Sequence, residues 1–108
     1  MTTWNDYFNE HYIFALKMLR NMKTPSVIYI AEEAEDNAFN SVLVIKRNKK
    51  NKYVVQRISE NNILLNKVFD NLIDVLSVGY RKDLRPTEIS IECQGINIMT
   101  IKDFTKEP

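Results

Sequence analysis

The 108-residue sequence has few of the residues that mark several common kinds of protein, with one cysteine, one histidine, two glycines and three prolines. A single cysteine, Cys93, excludes an intramolecular disulfide framework and indicates a reducing compartment. The two glycines, Gly79 and Gly95, each occupy an expected turn, so the chain has no glycine-rich phosphate-binding loop. Because a flexible linker is also absent, we expect one domain over residues 1–108.

Long apolar segments are missing as well. The longest uninterrupted apolar runs are five residues, as in YIFAL and VIYIA, whereas a membrane-spanning helix needs about 20. The N-terminal sequence lacks the basic start and the apolar stretch of a signal peptide. We therefore expect a cytoplasmic protein that has no membrane partner.

The chain also lacks an excess of either charge, since fifteen basic and fourteen acidic residues give a net charge of +1. A dedicated nucleic-acid-binding protein usually has a basic excess, so nucleic acid is not the expected partner. The charges are nevertheless unevenly distributed along the chain. Residues 24–45 include four acidic and no basic residues, and residues 46–58 include six basic and no acidic residues. The chain is therefore electrostatically polar along its length, which its net charge conceals.

Two helices are predicted from apolar spacing and capping signals. The first covers residues 3–22 and ends before Pro25, because a proline disfavours helical backbone in the residue before it. The second follows Ser59, a good helix cap, and ends at Gly79. Its apolar stripe comprises Leu65, Val68, Phe69, Leu72, Ile73 and Leu76.

Apolar and β-branched segments predict five strands. They are Val27–Ala31, Val42–Arg47, Tyr53–Ile58, Glu88–Cys93 and Ile96–Phe104. In the last two, Ile89, Ile91 and Cys93 are expected to share a face with Ile96 and Ile98. The order α-β-β-β-α-β-β predicts an α+β fold in which a mostly antiparallel five-stranded sheet packs with two amphipathic helices. The other face of the sheet is expected to be partly open, because it would carry Ser90, Glu92, Asn97 and Lys102.

The sequence offers no convincing catalytic or metal-binding arrangement. One histidine and one cysteine far apart in sequence make a poor zinc site. His11 could act as a base for Cys93, but Cys93 fits an alternating strand pattern and His11 fits an aromatic helix face. We therefore expect no catalytic residue, no metal, no cofactor and no small-molecule substrate.

A basic segment surrounds the first predicted hairpin. Its members are Lys46, Arg47, Lys49, Lys50, Lys52 and Arg57. These side chains could contact phosphates, or they could form a solvated turn whose lysines prevent pairing with other chains. The second interpretation is favoured, because Tyr53 is the only aromatic residue among them.

An acidic segment occupies the connection before that hairpin. Its carboxylates belong to Glu32, Glu33, Glu35 and Asp36. They could form a simple solvated loop, or they could bind a basic partner surface and increase its association rate. Trp4, at the start of the first helix, is a second candidate contact because an exposed tryptophan can anchor an interface. These five residues are the predicted partner-binding site.

A small cytoplasmic α/β domain without a catalytic constellation but with an EEAED cluster resembles the immunity proteins of bacterial toxin–immunity pairs, especially those of contact-dependent growth inhibition. The resemblance implies stoichiometric binding to the cognate toxin domain of a bacterial effector. Many such toxins are nucleases, including nucleases that cleave transfer RNA. The immunity protein would cover the active site or the substrate-binding surface.

Two other classes remain open. The order of elements also resembles that of type III secretion chaperones, although these are usually acidic and generally have a third helix. A small nucleic-acid-binding regulator that uses the basic hairpin is a further alternative, and an enzyme is the least supported class.

Overall fold

The computed structural model describes the backbone of residues 4–34, 40–79 and 84–102, and the side chains of residues 10–34, 40–78 and 86–102. Within these residues the chain forms two helices and six strands. Their bounds are α1 Trp4–Asn21, β1 Ser26–Ala34, β2 Asn40–Arg47, β3 Tyr53–Ser59, β4 Asn62–Phe69, α2 Leu72–Gly79, β5 Leu84–Cys93 and β6 Ile96–Lys102.

The six strands form one antiparallel sheet in the order β4-β3-β2-β1-β5-β6. β1 lies inside the sheet and pairs with both β2 and β5, while β4 and β6 form the two edges. The β5–β6 turn consists of Gln94 and Gly95, which both have positive φ angles, of 52° and 82°. Two successive positive φ angles characterise the tight hairpin turn in which glycine is favoured.

α1 lies on one face of the sheet because its apolar residues repeat at helical spacing. Tyr12, Ala15, Leu16 and Leu19 are at most 2% exposed and belong to the same apolar core as the alternate residues of the central strands. Burial of each large side chain contributes about 1.5–3 kcal/mol. The core therefore lies between α1 and the sheet.

α2 packs on the same face. Val75 is fully buried in the same core, and its carbonyl oxygen accepts a hydrogen bond of 3.0 Å from the Tyr12 hydroxyl. This bond joins the two helices across 63 residues of sequence. We call the side of the sheet beneath the helices the covered face and the opposite side the open face.

The α+β fold class and the mostly antiparallel sheet are confirmed, but the number of strands is six rather than five. The helix predicted after Ser59 was wrong over Asn62–Phe69, which is strand β4, and α2 begins only at Leu72. The helical spacing is accidental, because Leu65 and Phe69 reach the core from the strand whereas Leu72 reaches it from the helix. This segment is a strand because its backbone pairs with β3, and the spacing of its apolar residues does not indicate that pairing.

The predicted pairing between the last two strands needs a second correction. Ile89 and Ile91 lie opposite Ile101 and Met99, because a register shift separates this region from the turn. Ile98 is consequently 50% exposed and does not share the buried face. The bounds also differ, since β5 starts at Leu84 and residues 103–104 of the last predicted strand lie outside the described residues. None of the described helices is long and apolar enough to cross a membrane.

Candidate functional site: the open face of the sheet

An ion pair lies in the interior of the covered face. The Arg57 guanidinium donates from Nε to Glu32 Oε1 at 2.9 Å and from Nη2 to Glu32 Oε2 at 3.0 Å. Both side chains are 4% exposed. Glu32 is on β1 and Arg57 is on β3, so the arginine reaches over β2, a span of about 10 Å at ordinary strand spacing. This long, two-pronged side chain matches a carboxylate better than lysine would.

Small side chains on β2 and β3 complete this arrangement. Ser41 lies directly opposite Glu32, and its Oγ donates to Glu32 Oε1 at 3.0 Å. Ser59 Oγ donates to the Asn40 carbonyl oxygen at 2.7 Å. The Glu32 carboxylate thus accepts three hydrogen bonds, which offset the loss of its hydration in the interior.

Tyr12 links this polar cluster to the helices. Burial raises the pKa of the Tyr12 hydroxyl well above its usual range, while the nearby Arg57 charge lowers it and the Glu32 charge raises it further. The tyrosine is therefore neutral at physiological pH, and its hydroxyl donates to Val75 as described above. We interpret the cluster as a structural element that joins β1, β2, β3 and both helices.

The residues of the predicted partner-binding site therefore have different positions in the structure. Glu32 is not available to a partner because it is buried and paired with Arg57. Glu33 is half-buried and lies on the open face, opposite Asn40. Glu35 and Asp36 lie outside the described residues. Trp4 is the first residue of α1, but its side chain is outside the described part of the chain.

The predicted basic hairpin is also divided by the structure. Arg57 belongs to the buried pair, and Lys52 pairs with Asp70. Arg47 Nη1 donates to the Met22 carbonyl oxygen at 2.6 Å and so satisfies a free carbonyl at the C-terminal end of α1. Lys46, Lys49 and Lys50 remain exposed. Three of the six basic side chains thus have partners within the chain, and the other three are exposed.

The structure does not bring together Cys93 and His11, whose catalytic pairing was the less favoured interpretation of the sequence. Cys93 Sγ lies 3.3 Å from the Lys23 carbonyl oxygen, just beyond the C-terminal end of α1. His11 lies ten residues before the last residue of α1, Asn21, which is about 15 Å from that end of the helix along its axis. Across the described residues there is also no group of three or more His, Cys, Asp or Glu side chains that could hold a metal ion.

The open face of the sheet carries a line of apolar residues that are partly or largely exposed. Strand register aligns four apolar residues across β4, β3, β2 and β1. In that order they are Ile63, Ile58, Val42 and Ala31, which we call the apolar row. Ile63 is 62% exposed and Val42 is 37% exposed, whereas Ile58 and Ala31 are half-buried. Beyond the apolar row, the same line of paired positions holds charged residues. Glu88 on β5 lies opposite Ala31, and Lys102 on β6 lies opposite Glu88.

A second row lies at the other end of the same face. In this row Val27 on β1 lies opposite Lys46 on β2 on one side and opposite Glu92 on β5 on the other. We call these three residues the charged row. Its neighbours on β3 and β4 are Val54 and Val68, and Val68 is 61% exposed.

Between the two rows the open face has a mixed surface. Tyr29 lies opposite Val44 on one side and Ser90 on the other. A hollow of about 430 Å³ lies beside Tyr29, and its lining includes Val42, Val44 and Ile58. On β1–β4 the open face therefore combines apolar residues with polar ones such as Gln56, Asn66 and Lys46, and on β5–β6 it is polar.

The sequence contained part of the signal for this face. The apolar run VIYIA predicts a strand with apolar side chains on both faces, which is unusual when one face meets only solvent. Of the four residues expected to be exposed on the open face, Asn97 and Lys102 are exposed, whereas Ser90 and Glu92 are half-buried. The apolar row was missed because Ile63 belongs to the segment that was assigned to a helix.

Comparisons of the chain with protein-family models, curated proteins and solved structures find no match.

Proposed function

We propose that this chain is a binding protein that inhibits a bacterial toxin domain, in the manner of the immunity proteins of toxin–immunity pairs. It acts in the cytoplasm of the producing cell, forms a stoichiometric complex and catalyses no reaction. The open face of the sheet is the contact surface, and the covered face maintains its shape.

The apolar row is the observation that carries this proposal. Ile63, Ile58, Val42 and Ala31 form one line across four strands, on the face opposite the helices. Contiguous apolar surface of this kind, bordered by polar groups, is a common mark of a protein-binding site. Burial against a partner removes that surface from water and favours the complex.

The carboxylates around the apolar row favour a basic partner. Glu33 and Glu88 lie on the open face beside it, on β1 and β5, and one exposed cation, Lys102 on β6, lies opposite Glu88. A nuclease must attract phosphates and so presents cationic groups around its active site. Carboxylates that face those groups increase the association rate and orient the complex. This charge distribution is the reason for proposing a nuclease, including one that acts on transfer RNA.

The proposed contact set therefore changes from the one expected from sequence. Glu32 is no longer proposed as a contact residue because it is buried. Glu88 and the residues of the apolar row are added as proposed contacts. Glu33, Glu35, Asp36 and Trp4 remain in the proposal.

The secretion-chaperone alternative is weakened by the additional strand. The observed order α-β-β-β-β-α-β-β differs from the α-β-β-β-α-β-β order that suggested it. A chaperone would also be a dimer that binds an extended effector segment, so measurement of the oligomeric state separates the two classes.

The proposal predicts that a gene adjacent to this chain's gene encodes a toxin domain, and the test uses that domain; a neighbourhood without a toxin gene would count against the proposal. We expect the purified chain to form a 1:1 complex with that domain and to abolish its activity at one equivalent. The double variant Glu33→Gln/Glu88→Gln should associate about tenfold more slowly at low salt, because it removes two carboxylates without a large change of shape.

A matched control is Glu10→Gln, which removes an exposed carboxylate on α1 and should associate at the wild-type rate. Failure of the wild-type chain to bind or inhibit the domain would refute the proposed function. Normal binding by the double variant would refute the carboxylates as contacts.

A further inference from the structure

The charged row contains two opposite charges at one depression of the open face. A hollow of about 330 Å³ is lined by residues that include Val27, Tyr29, Lys46 and Glu92. Val27 lies between the two charged residues in the strand register. Lys46 and Glu92 are therefore two strand spacings apart, about 10 Å between their backbones. A group seated over Val27 can reach both.

Within the described part of the chain, neither charged side chain forms an ion pair. Among the described residues, the ion pairs are Lys52–Asp70 and Arg57–Glu32. Lys46 is exposed and Glu92 is half-buried, so both side chains can reach a partner. Arg47, adjacent to Lys46 in sequence, contrasts with them because it bonds to the end of α1.

We propose that the charged row fixes the orientation of the protein partner: the partner places an anionic side chain on Lys46, an apolar side chain over Val27 and a cationic side chain on Glu92. This inference rests on the proposed binding function and specifies the partner's surface chemistry. Opposite charges on either side of one apolar contact favour a single docking orientation, because rotation of the partner by half a turn places like charges together. The partner surface is therefore of mixed charge at this position, even when it is basic elsewhere.

The decisive variant is Lys46→Glu, because two kinds of partner surface predict opposite results. A uniformly basic partner would bind this variant more tightly, since the open face gains negative charge. A partner with an anionic side chain opposite Lys46 would bind it less tightly, and we expect a rise in Kd of roughly tenfold. Lys49→Glu is the matched control, since it makes the same charge change at an exposed lysine in the β2–β3 turn and should leave Kd within about twofold of wild type.

The measurement is titration calorimetry with the neighbour-encoded toxin domain, together with Glu92→Lys, which should also raise Kd roughly tenfold. Lys46→Gln, a milder change, should show a smaller rise in the same direction if Lys46→Glu fails to fold. Tighter or unchanged binding by the folded Lys46 variants would overturn the charged row while leaving the proposed function intact. Absence of wild-type binding would overturn both.

A second copy of this chain is the competing occupant. Sedimentation velocity of the purified wild-type chain should give a monomer. A wild-type dimer that Lys46→Glu converts to a monomer would assign the charged row to self-association and overturn the proposal.

Discussion

The two faces of the same sheet use charged residues in opposite ways. On the covered face, Glu32 and Arg57 are almost fully buried and satisfy each other. On the open face, Lys46 and Glu92 lie on the same side of the sheet without forming an ion pair. The pair on the covered face is removed from solvent and must be matched within the chain, whereas Lys46 is exposed and Glu92 is half-buried, so both side chains retain contact with solvent. A charge next to an apolar strand thus indicates different roles according to the face on which it lies.

The apolar residues show the same contrast. Leu43 and Ile45 on β2 are fully buried, whereas Val42, between Ser41 and Leu43, is 37% exposed. The covered face stabilises the fold by removing apolar surface from water. The open face retains such surface, so its substitution should affect binding more than folding.

The largest expected loss of stability comes from breaking the buried ion pair. Arg57→Met should reduce the free energy of unfolding by about 3–5 kcal/mol, because it leaves the Glu32 carboxylate buried without its cation. Urea denaturation measures the change. The control on the open face is Lys46→Met, which also removes a cation but should stay within about 0.5 kcal/mol of wild type.

The double variant Glu32→Leu/Arg57→Met sharpens this test. It removes both charges and should recover most of the loss, since an apolar pair needs no compensating charge. Equal losses for Arg57→Met and Lys46→Met would contradict the contrast between the two faces.

A smaller effect is expected at Tyr12. Tyr12→Phe leaves the buried Val75 carbonyl oxygen without its donor and should cost about 1–3 kcal/mol at pH 7. Tyr29→Phe, the same change on the open face, should have an effect of at most about 0.5 kcal/mol.

The pH dependence at Tyr12 has a defined sign. Burial raises the pKa of the Tyr12 hydroxyl above its value in the unfolded chain, so the native state binds this proton more tightly. The resulting stabilisation is complete below the unfolded pKa of about 10 and is lost as the pH rises through the raised folded pKa. Stability should therefore fall more steeply above about pH 10 in the wild type than in Tyr12→Phe. Parallel pH profiles would show that Tyr12 does not control this loss.

The sequence predicted the fold class and most elements because the relevant signals are local. α1 has a clear apolar face, and Gln94-Gly95 is a strong turn signal. β4 was missed because its apolar spacing also fits a helix and because its partner, β3, is selected by backbone hydrogen bonds. The Glu60 turn before it has a positive φ of 54° in a residue that does not usually favour that conformation.

The candidate site was less predictable than the fold. Glu32 and Glu33 are neighbours in sequence, but strand alternation places them on opposite faces. Likewise, the pairing of Glu32 with Arg57 depends on the order of β1, β2 and β3 in the sheet, which the sequence pattern does not reveal. Charge counts along the chain therefore identified an unusual segment without separating its structural residues from its surface residues.

The central claim is that the open face binds a partner while the covered face maintains the fold. Its most direct test is the variant Val42→Thr/Ile63→Thr, measured for urea stability and for calorimetric binding to the neighbour-encoded toxin domain. We predict a free energy of unfolding within about 0.5 kcal/mol of wild type and a Kd at least roughly tenfold higher, since two apolar contacts of the apolar row become polar. A stably folded variant that binds the toxin domain with wild-type affinity would contradict the claim.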